Sequence, residues 1–305
     1  MKPIAVIGEG AWGTAIAQVL ADNGHQVNLW CCDSSVAASI NNEHMNTRYM
    51  PGFVLSKNIS AEAQLATVLG CSSFVFISTP TVFFRKIIIS CKPYYHKEQC
   101  WVVLSKGIEN ESLLVPTQIL AQVLDPKITC AVLGGPSFAQ EVMERKLTGV
   151  TVAAVDKKNA DQIAHLVRTA YFYPYTTDDI MGAQLGGALK NVMALLMGIA
   201  QGAEYGDNTR AFLFTRCWSE LVAIALSLGA RSETLFDLAG LGDAFLTVTG
   251  KHSRNLALGF AIGKGDRVKS EQAATCELPE GINTLSSLKH VATMRKVNVP
   301  LFEAL

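Results

Sequence analysis

The stretch IAVIGEGAWGTAIA (4–17) constrains the fold more tightly than any other. Gly8, Gly10 and Gly13 stand there in G-x-G-x-x-G spacing, directly after an apolar strand-like run and at the opening of a helical pattern. The first glycine permits a tight turn, the second lets a phosphate approach the backbone, and the third lets the helix pack closely on the strand. The unpaired N–H groups at the helix start favour an anion. A strand, glycine loop and helix in this order predict a dinucleotide-binding unit on a parallel sheet.

The rest of the first half agrees. Apolar, β-branched runs at 4–8, 26–30, 73–79, 101–105, 128–134 and 149–155 alternate with helical patterns, the first of which (13–24) is closed by Gly24. Runs that are apolar throughout suit strands covered by helices on both faces. Beyond residue 179 the strand signal disappears, and helical runs follow at 180–203, 208–228, 232–239, 253–263 and 281–295. The expected architecture is therefore α/β: a Rossmann-type doubly wound sheet over 1–179, then an all-helical domain over 180–305. The boundary is placed at Asp178 and Asp179, after YFYPYTT. The final VPLFEAL reads as the opening turn of a helix, from which a truncated C-terminus is expected.

Charge and cysteine usage narrow the function. With 26 basic and 26 acidic residues in 305, no global field recruits nucleic acid or an anionic membrane. The eight cysteines show no C-x-x-C spacing, which points to a reduced, cytoplasmic protein without structural metal. Neither a signal peptide nor a membrane span is expected, because the longest apolar runs are cut by Lys190 or by glycine and proline.

In a parallel sheet, ligands meet the carboxyl ends of the strands. The second strand ends LWCCD, where an acid would favour NAD and an arginine NADP. Cys32 occupies the position, and Asp33 comes late enough to serve as a helix cap, so both cofactors stay open. Other strand ends carry Ser78, Thr79 and Pro80, then Lys106 before Gly107, then Gly134, Gly135, Pro136 and Ser137. Ser137 also fits a helix N-cap.

In the helical half, GGALKNVMALLMGIA (186–200) places one charge inside an apolar helix. Lys190 shares its face with Gly186, Gly187, Met193, Ala194 and Met197, and Asn191 follows it. Each interior glycine costs about 1 kcal/mol relative to alanine, so close helix packing or room for a ligand must compensate. A partly desolvated lysine moves towards the pKa of roughly 7–8 that serves proton transfer. Asp243 lies in a glycine-flanked turn with Thr247 four residues on, a spacing that would align carboxylate and hydroxyl on one helical turn. Ser253, Arg254 and Asn255 precede another helical run, combining a cap with an arginine fork suited to phosphate.

Taken together, GEGAWGTAIA, LSKGIE, LGGPSFAQEV, GGALKNV, GDNTRA, GLGDAFLT and SRN, in that order along nearly the whole chain, resemble the bacterial-type NAD(P)-dependent glycerol-3-phosphate dehydrogenases. The resemblance implies reversible hydride transfer between NAD(P)H and dihydroxyacetone phosphate, for phospholipid synthesis, with Lys190 as proton donor and acceptor. It implies a catalytic neighbourhood of Asp243, Lys106, Asn191 and Thr247, and a substrate surrounded by Lys106, Gly135, Ser137, Asp243, Ser253, Arg254 and Asn255. Cofactor contacts would come from Gly8, Gly10, Ala11, Trp12, Gly13, Cys32, Lys106, Ala139, Arg254, Leu278 and Glu280. A cytoplasmic homodimer is the expected form. The chain departs from the family pattern at Ala11, where serine is usual, at Cys31-Cys32, where a basic residue is common, and at ELPEG (277–281). The competing readings are another two-domain hydroxy-acid or hydroxyacyl dehydrogenase and a non-catalytic dinucleotide sensor.

Overall fold

The computed structural model describes residues 2–250, 253–266 and 280–304. Leu278, expected at the cofactor, lies outside them. The chain forms two compact units. The first comprises Met1–Ser105, Pro116–Leu133 and Ser137–Ile180, and the second Lys106–Val115, Gly134–Pro136 and Met181–Leu305. A single cut at 179 is therefore too simple. The segments that follow two of the sheet strands cluster with the helices instead.

The first unit is built on β1 (Ile4–Ile7), β2 (Val27–Trp30), β3 (Ile59–Glu62), β4 (Phe74–Ile77), β5 (Cys100–Val103), β6 (Thr129–Gly134), β7 (Thr148–Ala153) and β8 (Phe172–Thr177). They form one sheet in the order β3-β2-β1-β4-β5-β6-β7-β8. The first six reproduce the 3-2-1-4-5-6 order of dinucleotide-binding folds, and the pairings among them are parallel. Helices α1 (Ala11–Asp22), α2 (Ser34–Glu43), α3 (Leu65–Leu69), α4 (Thr81–Cys91), α5 (Pro116–Val123), α6 (Ala139–Met143) and α7 (Lys157–Val167) connect the strands. β1 and β5 are buried along their full length, as central strands covered on both faces should be.

Two strands escaped the sequence reading, for different reasons. β3 is only ISAE, too polar to stand out. β8 is FYPYTT, whose Pro174 argues against a strand; it lies at the sheet edge, where a missing N–H is tolerated.

The second unit contains α8 (Ile180–Gly202), α9 (Asp207–Ser227), α10 (Ser232–Leu235), a π turn over Leu238–Gly242, α11 (Asp243–Thr249), α12 (Arg254–Gly263), and helices Glu280–Arg295 and Pro300–Glu303. The single helix expected over 232–239 stops at Leu235, and the chain turns through Gly240, whose added Cβ would lie 2.1 Å from the Leu235 carbonyl oxygen. α8 is long and apolar enough to cross a membrane, but 78% of that stretch is buried inside the protein. It is the core helix of this unit, packed with Trp218, Leu221 and Leu288. The Pro300–Glu303 helix realises the opening turn read from VPLFEAL. Its N–H groups at Leu301 and Phe302 donate to the buried Glu220 carboxylate, at 3.3 and 3.0 Å.

Small residues bring α12 directly onto α8. A Cβ on Gly198 would sit 2.3 Å from the Leu256 carbonyl oxygen, and one on Gly259 2.1 Å from that of Leu195. This backbone contact sets where the start of α12 falls beside Asn191. Gly198→Ala is therefore expected to lose about 1–3 kcal/mol in chemical denaturation, the usual penalty for overpacking. Gly206→Ala, whose Cβ meets nothing within 4 Å, should be nearly neutral. Equal losses at both positions would contradict this packing account.

Candidate active site

Three segments far apart in sequence converge within the second unit. Lys106 follows β5, Lys190 sits midway along α8, and Asp243 opens α11 after the π turn. The Asp243 carboxylate is completely buried. Lys106 Nζ donates to its Oδ2 at 2.5 Å, and Lys190 Nζ to its Oδ1 at 2.6 Å. Two lysine side chains thus share one carboxylate. Ammonium donors gathered at one point suit an oxygen on which negative charge develops.

The glycines before Lys190 serve this cluster by close packing. A Cβ on Gly187 would press on Lys106, 3.2 Å from Cγ and 3.3 Å from Cδ. One on Gly186 would meet the Ala239 carbonyl oxygen at 2.3 Å. Gly187 makes room for the stem of the other lysine, and Gly186 lets the turn carrying Asp243 lie against α8. Burial pushes the Lys190 amine down to about 8, against the pull of Asp243 and with Lys106 adding to the depression.

The neighbouring residues divide by what they touch. Asn255 Nδ2 donates to Asn191 Oδ1 at 3.1 Å, and the Gly281 N–H donates to Asn255 Oδ1 at 3.0 Å. Asn191 Nδ2 reaches towards Glu280 Oε2 at 3.5 Å. Asn191 and Asn255 therefore tie the start of helix Glu280–Arg295 to α8 and α12. Ser253 caps α12, its Oγ accepting from the Leu256 N–H at 3.2 Å. Of the Ser-Arg-Asn cluster, only Arg254 is exposed. Thr247 does share a helical turn with Asp243, but its hydroxyl donates to the Asp243 backbone carbonyl at 2.6 Å, so the expected alignment with the carboxylate is corrected. Gly135 lends its carbonyl oxygen to this unit, 3.5 Å from Lys106 Nζ.

Within the first unit, the glycine loop has the form a pyrophosphate requires. Gly8 has φ +112°, and Gly13 lies so close beneath it that a Cβ there would be 1.9 Å from the Gly8 carbonyl oxygen. Gly10 caps α1 with no side-chain hydrogen bond, and its added Cβ would point into open space. The first N–H groups of α1, from Ala11 onward, have no intrahelical acceptors. The residues present thus fit a dinucleotide. Trp12 and Ala139 pack against the core of this unit, and the Trp12 indole N–H is buried without a partner among the described residues. Cys32 is exposed, and Asp33 caps α2 through Ser35. Ser137 is not a cap, since α6 begins at Ala139 with Phe138 at its N-cap. Sequence reasoning passed over Glu9, although it is the only charged residue inside the glycine loop.

A 3-2-1-4-5-6 sheet with a glycine loop shaped for a pyrophosphate, joined to a helical unit with a buried lysine–carboxylate cluster, points to a class: a dinucleotide-dependent oxidoreductase. Family models for the N-terminus and the C-terminus of NAD-dependent glycerol-3-phosphate dehydrogenase match residues 3–160 and 179–305. The chain belongs to that family. Glycerol-3-phosphate dehydrogenase [NAD(P)+] of Parvibaculum lavamentivorans is 38% identical over 303 residues, covering 99% of this chain and 90% of its own. That of Halorhodospira halophila is 40% identical over 298 residues, covering 98% and 89%. The crystal structure of glycerol-3-phosphate dehydrogenase from Coxiella burnetii superposes with a TM-score of 0.92 at 32% identity, covering 99% of this chain and 92% of that one.

The depressed lysine is directly measurable. Trace acylation followed by peptide mass spectrometry should show Lys190 becoming reactive with a midpoint near pH 8. A midpoint at the ordinary lysine value of about 10.4 would contradict the site's electrostatics.

Proposed function

We propose that this chain interconverts dihydroxyacetone phosphate and sn-glycerol 3-phosphate, the backbone unit of glycerophospholipids, through a buried lysine–carboxylate–lysine set. The observation that carries this reading is Asp243 held between Lys106 and Lys190 at 2.5 and 2.6 Å. The glycine loop, Gly8 to Gly13, would hold the pyrophosphate of NAD or NADP; when bound, that cofactor supplies or accepts the hydride at C2.

The protein's own part concerns protons and charge. In reduction, protonated Lys190 gives its proton to the C2 oxygen as negative charge develops there. In oxidation, the neutral amine takes the hydroxyl proton back. Asp243 fixes the amine, while Lys106 adds a second ammonium donor to the same carboxylate. Arg254, exposed at the start of α12, is the cation of its cluster and would anchor the phosphate. Holding the phosphate away from the reacting carbon orients the substrate for transfer.

A hydroxy-acid or hydroxyacyl enzyme would not need Arg254, and a sensor would not need a titrating lysine. We place the reaction in the cytoplasm, where the seven cysteines among the described residues, none in a disulfide, stay reduced.

NADH absorbance with dihydroxyacetone phosphate tests the assignment. Lys190→Met should lower kcat by about 10²–10⁴, the range for loss of a general acid, while cofactor affinity stays unchanged. Arg254→Ala should chiefly raise KM for the phosphorylated substrate. For the wild type, kcat/KM of reduction should fall as pH rises through about 8, because the protonated donor is lost, and that of oxidation should rise over the same interval. A Lys190→Met enzyme with full activity would overturn the mechanism.

A further inference from the structure

The glycine loop carries a charge whose position bears on cofactor choice. Glu9 is 8% exposed and is fixed from two sides. Its carbonyl oxygen accepts from Asn46 Nδ2 at 2.8 Å and from the Thr14 hydroxyl at 3.1 Å. Its side-chain Oε1 accepts from the Asp33 N–H at 3.2 Å, across the loop that leaves β2. Oε2 has no partner among the described residues. The carboxyl end of β2 is where the adenosine ribose is read in such folds, normally by an acid on the strand itself. Here that place holds Cys31 and Cys32, and the glycine loop supplies the acid from the opposite side.

The charges around this corner have one sign in excess. Asp33 accepts from the Ser35 N–H at 2.8 Å and from Arg48 Nη1 at 2.6 Å. Arg48 is the only cation paired at this corner among the described residues, and Asp33 already neutralises it. Glu9 remains. Burial, together with the nearby carboxylates of Glu9 and Asp33, pushes the Cys31 thiol up to about 12.

We propose that Glu9 is the residue that selects the cofactor: its free Oε2 accepts from the 2′-hydroxyl of the adenosine ribose, and its charge rejects a 2′-phosphate, so the protein takes NAD(H) in preference to NADP(H). The proposal rests on dinucleotide binding at the glycine loop. A hydrogen bond to a charged acceptor corresponds to about tenfold in affinity, and repulsion of a phosphate adds to that ratio.

The test measures binding without turnover. ADP-ribose and 2′-phospho-ADP-ribose are titrated calorimetrically into wild-type protein, Glu9→Gln and Arg48→Ala. The wild type should bind ADP-ribose at least about tenfold more tightly. Glu9→Gln should narrow the ratio, mainly by gaining affinity for the 2′-phosphate compound, and Arg48→Ala should leave that compound bound no more weakly. A wild-type preference for the 2′-phosphate, which requires no variant to observe, would overturn the proposal. So would loss of 2′-phosphate binding in Arg48→Ala, because Arg48 would then be leaving Asp33 to hold the phosphate. Absence of binding by either compound would overturn the dinucleotide site itself, and this assignment with it.

Discussion

The arrangement of the helical unit's polar core depends on one buried carboxylate shared by two lysines. Asp243 is fully inaccessible, and an unpaired charge in that position would not be tolerated. Pairing with Lys106 and Lys190 resolves its burial, and the desolvation of the same cluster lowers the Lys190 amine to about 8. In the proposed mechanism that one cluster serves both the developing oxyanion and proton transfer.

Backbone proximity makes the arrangement possible. The two glycines ahead of Lys190 act on different neighbours, one admitting the Lys106 stem and the other the turn that ends at Asp243. Farther along α8, Gly198 meets α12 and fixes the place of Asn255, which reaches both Asn191 and the backbone of Gly281. The apolar helix that the sequence presents as a single run is therefore a scaffold whose glycines admit other segments: Gly186 and Gly187 beside the lysine, and Gly198 and Gly202 farther along against α12.

Much of this was legible in advance, because local patterns carried it. The G-x-G-x-x-G loop, the central strands and α8 follow from spacing and periodicity, and the interior charge at Lys190 singled itself out. What escaped depends on tertiary context. Pro174 belongs to a strand only because β8 is an edge, and ISAE becomes β3 only by pairing with β2. Lys106 and Gly135 follow sheet strands in sequence, yet their segments cluster with the helices. Ser253 caps α12 as its residue type suggests, whereas the Thr247 hydroxyl turns to the Asp243 backbone and Asn255 ties α12 to Asn191 and Gly281, partners that residue type and spacing do not reveal. Glu9 was overlooked because attention to the glycines treats the intervening positions as neutral spacers.

In the proposed mechanism Lys190 and Asp243 work as one unit, and a double-mutant cycle on kcat/KM measures their coupling directly. If they do, Lys190→Met combined with Asp243→Asn should lose little more than the more damaging single change, since either substitution already dismantles the pair. If the two losses instead add in full, the residues act independently, and the shared carboxylate is not the basis of the chemistry.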